Sequence, residues 1–420
     1  MRSDWPNHRL GDLCLKVGSG ATPRGGSNVY IERGVRFIRS QNVHDLRFEW
    51  SGLAHIDDQA ADQLRGVAVH PGDVLVNITG DSVARVCLAP DDGKESRVSQ
   101  HVAIVRPDET GLHARFATYW LVSPSVKAHL MMLASAGATR KALTKDMLEG
   151  LELPLPSIEE QRRIVAILSA LDDKIDSNRR LGALLDETAA TVFRARFVDF
   201  VGVEEFDDSD IGRVPRGWAA GPLSALVEIT MGQSPPGSSY ADDQAAGLLL
   251  VQGMGGFGTR YPVSRVYTSA PTRTADAGAT LMTVRAPVGA VNVARTQVCL
   301  GRGVCGMTSN CQAFTEFLIR SLQGRWASEE SGTIFPAVNK AQVASVHVVI
   351  PPPEQIRDFE KYAAPIVGKL LVLHDETDSL VCVRDALLPK LISGEIRVPD
   401  SHDPEEVIGP VADRLAAATS

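Results

Sequence analysis

The sequence has no apolar run approaching the roughly 18 residues of a membrane-spanning helix. Met1 to Trp5 carry neither a basic region leading into an apolar stretch nor a cleavage site. A cytoplasmic protein with no membrane association is expected. Cysteine is sparse, six in 420 residues. Cys299, Cys305 and Cys311 recur at even spacing but lack the tight pairs and neighbouring histidines of zinc sites, so free thiols and no metal are expected. The histidines show no i, i+4 pair with a second ligand. No G-x4-G-K-[ST] loop occurs, so ATP hydrolysis is not carried here. The Asn/Asp-Pro-Pro-aromatic loop of adenine methyltransferases is missing too, since Pro235-Pro236 and Pro351-Pro352-Pro353 lack both partners. GMGGFG at 253–258 has the spacing of a dinucleotide fingerprint, but Pro262 falls in the second turn of the helix that should follow it. A glycine loop between strands is expected instead. Asp172-Asp173-Lys174 has the acid-x-Lys spacing of metal-dependent nucleases, yet it lies on a helical run where a solvated charged face accounts for it. The chain shows no active site of its own.

What the chain does have is repetition. Trp5, Leu10 and Leu13, followed by GSGATPRGGSN, recur 213 residues later as Trp218, Leu223 and Leu226, followed by MGQSPPGSS. Each copy carries glycine and then a Ser/Thr-Pro step. VRFIRSQNV from Val35 answers to LLLVQG from Leu248, and PGDVLVNITGDSVARV from Pro71 to AGATLMTVRAPVGAVNV from Ala277. SAGATRKALTKDML from Ser135 answers to SGTIFPAVNKAQV from Ser331. Each copy closes on a proline-stiffened strand exit, LPLPSIEEQ or VIPPPEQ, where the offset has shrunk to 194 and the second copy is about 19 residues shorter. Short alternating runs predict strands and tight turns, while Ala114 to Ala134 and Gln312 to Glu330 predict helices.

After each exit comes a long run at helical spacing. In the second, Ile356, Phe359, Ala363, Ile366, Leu370, Leu373, Thr377, Leu380, Arg384, Leu387 and Leu391 alternate three and four apart, the pattern of a coiled-coil seam. In the first, the alternation covers Ile164, Leu168, Leu171, Ile175 and Asn178, then loosens at Gly182 before Leu185 and Val192. Each run is the obvious partner of the other. Asn178, Thr377 and Arg384 are expected to mark its register. The expected fold class is α+β: two duplicated globular domains separated by two long antiparallel coiled-coil helices in a pseudo-two-fold arrangement. The expected boundaries are a first domain at 1–157, a helix at 158–199, a linker at 200–217, a second domain at 218–350, a helix at 351–396 and a flexible tail at 397–420. Pro365 should kink the second helix after Ala364, leaving two helices that meet at a bend.

The net charge of −8 is unevenly spread. Residues 1–157 are neutral and 212–350 carry +4, whereas 158–211 and 351–420 carry −6 each. Any nucleic acid should therefore meet the globular parts and avoid the helices. Arginine pairs bidentately with guanine in the major groove, and Gln or Asn with adenine. In the first module Arg39, Ser40, Gln41, Asn42, Thr79, Ser82, Arg85, Ser99 and Gln100 offer that chemistry in loops. In the second, Gln252, Arg260, Arg285 and Arg302 occupy comparable positions. Arg140 and Lys141, with Lys340 opposite, suit phosphate contacts.

FIRSQNV, PGDVLVNITGDSVARV, SQHVAIVRP, SAGATRKALTKDMLEGLELPLPSIEEQRRIVAILSALDDKID and the terminal LLPKLISGEIRV resemble the specificity (S) subunit of Type I restriction-modification systems. The order module, helix, module, helix resembles that family over nearly the whole chain. The resemblance implies two target-recognition domains, each reading one half of a split site in double-stranded DNA, with the helices as spacer and docking surface for two modification (methyltransferase) subunits. Restriction (motor and nuclease) subunits would join the complex. S-adenosylmethionine, ATP and Mg would then belong to partner subunits, with no cofactor and no catalysis in this chain. A helix from Ile158 to Arg196 would be roughly 58 Å long, ample for half-sites about 34 Å apart. Because the modules have diverged, the site should be asymmetric. The alternative is a coiled-coil scaffold joining two protein-binding modules without DNA readout.

Overall fold

The computed structural model describes residues 4–25, 29–135, 141–327 and 337–398. The chain forms two compact units that interleave in sequence, one from 1–176 with 377–420, the other from 177–376. The long helices Ile158–Phe197 and Pro353–Ile392, 40 residues each, therefore give one end to each unit.

The first unit is built on an antiparallel sheet in the order Cys14–Ser19, Val102–Pro107, Val74–Asn77, Val86–Leu88. Val74–Asn77 is buried at all four positions because successive side chains serve two different cores. Val74 and Val76 join Phe116, Ala117, Trp120 and Leu121 of the helix Ala114–Val122. Leu75 and Ile104 join Ile38 and Val98 on the opposite face. That face is covered by the strands Ala54–Ile56, Val35–Ile38 and Ser96–Val98, of which the last two run parallel.

The second unit repeats this plan. Its antiparallel sheet runs Glu228–Met231, Val304–Thr308, Thr280–Thr283, Val291–Val293. Met282, Cys305 and Met307 pack with Phe314 and Phe317, while Leu281 and Val304 pack with Val251 and Leu300. Leu248–Val251 runs parallel to Val298–Leu300, with Val251 opposite Leu300 as Ile38 is opposite Val98. The exits pair alike: Asn7–Arg9 with Glu152–Pro154, and Ala219–Pro222 with His347–Ile350. The fold is thus α+β with two duplicated globular domains and long helices.

Within each unit the helix ends pack antiparallel. In the first, Ile164, Leu168 and Leu171 share a core with Leu387 and Leu391, and Arg384 Nη1 donates to Asp172 Oδ1 at 2.9 Å. The Tyr119 hydroxyl donates to the same carboxylate at 2.7 Å. Asp172 is therefore a half-buried tie between helix and module, and of the expected charged face Asp173, its side chain 73% exposed, and Lys174 lie in solvent. Arg397 pairs with Asp4 and with Glu160 and lies 4.7 Å over the Trp5 ring, anchoring the start of the expected tail. The rest of that tail, 399–420, lies outside the described residues.

In the second unit Phe193, Phe197, Phe314, Phe317 and Phe359 form one aromatic cluster, with Phe193 and Phe359 centroids 5.3 Å apart. The face of the first helix buried here is Ala189, Phe193 and Phe197, while Leu185 and Val192 are half-buried. Pro365 does not divide the second helix. Its missing N–H frees the Lys361 carbonyl, but Pro365 and Lys361 are both on the exposed face, where water can take that bond. Helix breaks come elsewhere: at Ser123, ahead of Pro124, and at Leu322. The expected linker folds into a hairpin, Phe206–Ser209 against Gly212–Pro215, and Phe200 packs edge-on to Phe206 and Trp218.

Candidate nucleic-acid interface

In each module, five chain segments meet in a cradle held by the same backbone bonds. In the first, Ser99 N–H donates to the Ile38 carbonyl, Ile78 N–H to His101, Leu143 N–H to Ile78 and Gly20 N–H to Val102. In the second, Gly301 N–H donates to Val251, Val284 N–H to Gly303, Val338 N–H to Val284 and Gly232 N–H to Val304. The isolated bridge Thr79 to Ala142 likewise has its counterpart in Arg285 to Ala337. Position by position, Thr79 corresponds to Arg285, Gln100 to Arg302, His101 to Gly303 and Arg39 to Gln252. The glycines are forced: a Cβ on Gly20 would lie 2.2 Å from the Val98 carbonyl oxygen, and one on Gly232 2.1 Å from that of Gly301.

The Ser/Thr-Pro step seen in the sequence supplies the last tie. The Gln100 N–H donates to Thr22 Oγ1 at 3.4 Å and the Arg302 N–H to Ser234 Oγ at 3.3 Å. The frames match; the side chains on them differ. In the first cradle Thr79 Oγ1 is 2.7 Å from His101 Nδ1, and Gln100 Nε2 is 3.4 Å from His101 Nε2, a connected polar surface. In the second, Gln252, Arg285 and Arg302 line a cleft of about 340 Å³ together with Ser234 and Met254. All three are exposed, and Gln252 Nε2 donates to the Tyr240 hydroxyl at 3.2 Å.

The other sequence candidates divide into available and committed groups. Gln41 is exposed and donates to the Gly52 carbonyl at 3.0 Å. Ser40 is half-buried, its carbonyl accepting from Asn77 Nδ2. Ser82 and Arg85 form the half-buried turn after Val74–Asn77, where the Arg85 N–H donates to the Ser82 carbonyl. Lys141 and Lys340 are exposed, and Arg140 lies outside the described residues. Arg39 is half-buried over Tyr30 and donates to the Gly52 carbonyl at 2.8 Å.

Three candidates are corrected. Asn42 is fully buried; its Oδ1 accepts from the Arg39 N–H and its Nδ2 donates to the Glu49 carbonyl, so it holds a turn together. Ser99 is 3% exposed with its hydroxyl buried. Arg260 is spent on two carboxylates, Asp186 and Glu316, each at 2.6 Å. Arg320 closes that network with a bidentate grip on Asp186. Burial pushes the Asp186 carboxyl up, but Arg320 and Arg260 outweigh it and hold the group below the usual carboxylate range. Burial dominates at Glu316, whose carboxyl is raised.

His101, Thr22 and Ser234 were not among the sequence candidates. Thr22 and Ser234 were visible only as the repeated Ser/Thr-Pro step, and His101 only as a neighbour of Gln100. The seam candidates lie where packing wants them: Ile164, Leu168, Leu171, Ile175, Phe359, Leu370 and Leu373 are buried, Ile356 and Ile366 half-buried. Among the described residues no three His, Cys, Asp or Glu side chains are grouped to hold a metal ion, and no helix is long and apolar enough to cross a membrane.

A family model described as "Type I restriction modification DNA specificity domain" matches residues 2–186. The chain is 25% identical, over 94% of both sequences, to a Methanocaldococcus jannaschii protein named for the MjaX type I restriction enzyme specificity subunit. It is 23% identical to the HindI specificity subunit of Haemophilus influenzae, covering 94% of this chain and all of that one. Among solved structures, the S subunit of a Type-I restriction-modification system from M. genitalium has the same fold, with a TM-score of 0.61 at 15% identity, over 95% of this chain and 97% of that one.

Proposed function

We propose that this chain is a specificity subunit of a type I restriction-modification system, the family it resembles, and that it reads a double-stranded DNA site in two unlike halves and directs methylation or cleavage by partner subunits. The observation that carries this reading is the cradle built twice on one backbone frame with different exposed polar side chains. A scaffold that only held proteins would have no need to keep the frame while exchanging Thr79 and Gln100 for Arg285 and Arg302. DNA recognition needs that division, because phosphate and backbone contacts set register while side chains at base edges set sequence.

In this reading Gln41, Thr79 and Gln100 face one half-site and Gln252, Arg285 and Arg302 the other, with Lys141 and Lys340 on phosphates. The chain is non-catalytic and works in the cytoplasm. Two modification subunits supply adenine methylation from S-adenosylmethionine, and restriction subunits supply ATP- and Mg-dependent cleavage. The helices hold the modules and offer the docking surface.

The test is methylation mapping with the chain purified alongside its modification subunits. One bipartite asymmetric sequence should be modified, and exchanging residues 5–156 for another module should change one half of it only. Methylation unaltered by that exchange would sink the proposal. DNA binding should also weaken steeply with salt, whereas the scaffold alternative expects assembly indifferent to salt.

A further inference from the structure

We infer that the two modules read different purines at corresponding positions of their half-sites, the second a guanine through the Arg302 guanidinium and the first an adenine through the Gln100 carboxamide; this rests on the DNA-reading function proposed above. Gln100 and Arg302 leave the backbone at the same point of the frame. Each follows a residue whose N–H is bound to the end of the first strand of the parallel pair, Ser99 to Ile38 and Gly301 to Val251. Each has its own N–H pinned by a hydroxyl, Thr22 or Ser234. Both side chains are exposed. With the exit point shared, what differs is the chemistry at the tip.

A guanidinium carries donors only and matches the two acceptors of guanine, O6 and N7. A carboxamide carries an acceptor beside a donor and matches N6–H and N7 of adenine. The surroundings suit each tip. Gln100 is steadied from one side by His101, itself held by Thr79, so its amide has a preferred plane. In the second module Gly303 replaces that histidine, because a Cβ there would lie 2.2 Å from the Gln252 carbonyl oxygen, and the open space is the cleft that Arg302 lines. Among the described residues no carboxylate pairs with Arg302, and its only side-chain contact of this kind is Nε to Ser234 Oγ at 3.4 Å. Arg260 and Arg320 in the same module are both tied to acids. Arg302 is held in place yet unneutralised, as a reader of guanine must be.

The experiment offers a randomised duplex library to the full chain in complex with its modification subunits and sequences the methylated molecules. The wild type should require guanine at one position of one half and adenine at the corresponding position of the other. Arg302→Gln should lower the guanine preference at that position roughly 5- to 150-fold and shift it towards adenine, leaving the other half unchanged. Arg302→Lys, which keeps the charge and loses the fork, should lose the preference as well. Gln100→Arg should move the other half towards guanine. The inference is overturned if the wild-type site lacks that guanine and adenine, if the Arg302 variants only weaken methylation of all sequences alike, or if both halves change together. A wild-type library that enriches no two-part sequence defeats the DNA-reading function itself, and this assignment with it. Near-ultraviolet circular dichroism matching the wild type separates lost readout from lost fold.

Discussion

At the scale of single residues, the same side-chain type does opposite work according to its neighbours. Arg302 is exposed in a cleft, whereas Arg260, equally arginine and equally in a loop, bridges Asp186 and the nearly fully buried Glu316. Arg260→Ala should therefore leave base preference alone and destabilise the second unit by about 3 kcal/mol, since it leaves the buried Glu316 carboxylate with only the longer, 3.3 Å contact to Arg320. Urea unfolding and methylation mapping on the same variant check both halves of that statement. Asp186 sets a pH dependence. Its carboxyl is held below the ordinary range, so its contribution is present in full above about pH 4 and is lost as pH falls through its lowered folded value. Asp186→Asn should be less stable than the wild type at neutral pH, and the gap should close below about pH 4. A gap that stays constant with pH would count against this role. On the surface, Lys141→Ala and Lys340→Ala should each reduce the slope of log affinity against log salt by about one, without changing the bases selected.

At the scale of elements, each long helix is stabilised by what it packs against along its length. The end of the second helix in the 177–376 unit carries Phe359, fully buried among Phe193, Phe197, Phe314 and Phe317. Phe359→Ala should cost about 3 to 5 kcal/mol, measured by denaturant unfolding, because a cluster of rings cannot close over the gap. Pro365→Ala, a little under two turns on, restores a hydrogen bond on the exposed face and should not destabilise the helix. The two copies also reach the same end by different residues. Gln161 is fully buried and accepts from the His113 N–H at the start of Ala114–Val122. Its sequence counterpart Gln355 is exposed, and Glu360 instead accepts from the N–H groups of Ala313 and Phe314.

At the scale of the whole chain, the first unit is made from both ends of the sequence. Val383, Leu387, Leu388, Leu391 and Ile392 belong to its core. Each such side chain is worth about 1.5 to 3 kcal/mol of burial, and five together rival the total stability of a domain, about 5 to 15 kcal/mol. A chain ending at Glu376 should lose its first unit and keep its second, whose residues all remain. Hydrogen exchange would show protection retained in 177–376 and lost before it. Protection retained in both would mean that the first core does not need its distant strands of sequence.

Much of this was legible in the residues alone. The duplication, the α+β class and the two helical runs follow from patterns that local physics enforces: period two for half-buried strands, three-four alternation for packed helices, glycine and proline at turns. The surface character of Gln41, Gln100, Arg285 and Arg302 was legible too, because long polar side chains in turn-rich stretches have nowhere better to go than water. What the sequence could not decide is which polar residue would be spent inside. Asn42, Ser99, Asp172 and Arg260 look no different in a string of letters from their exposed neighbours. The fate of Asp172 and Arg260 depends on partners far along the chain, Arg384, Asp186 and Glu316, and that of Asn42 on the turn it closes with Glu49. Such pairings leave no periodic trace, since a buried polar group is paid for by one specific partner and not by a pattern. The tertiary structure alone chose those partners, and in doing so left Arg302 and Gln100 exposed at matching points of a repeated frame.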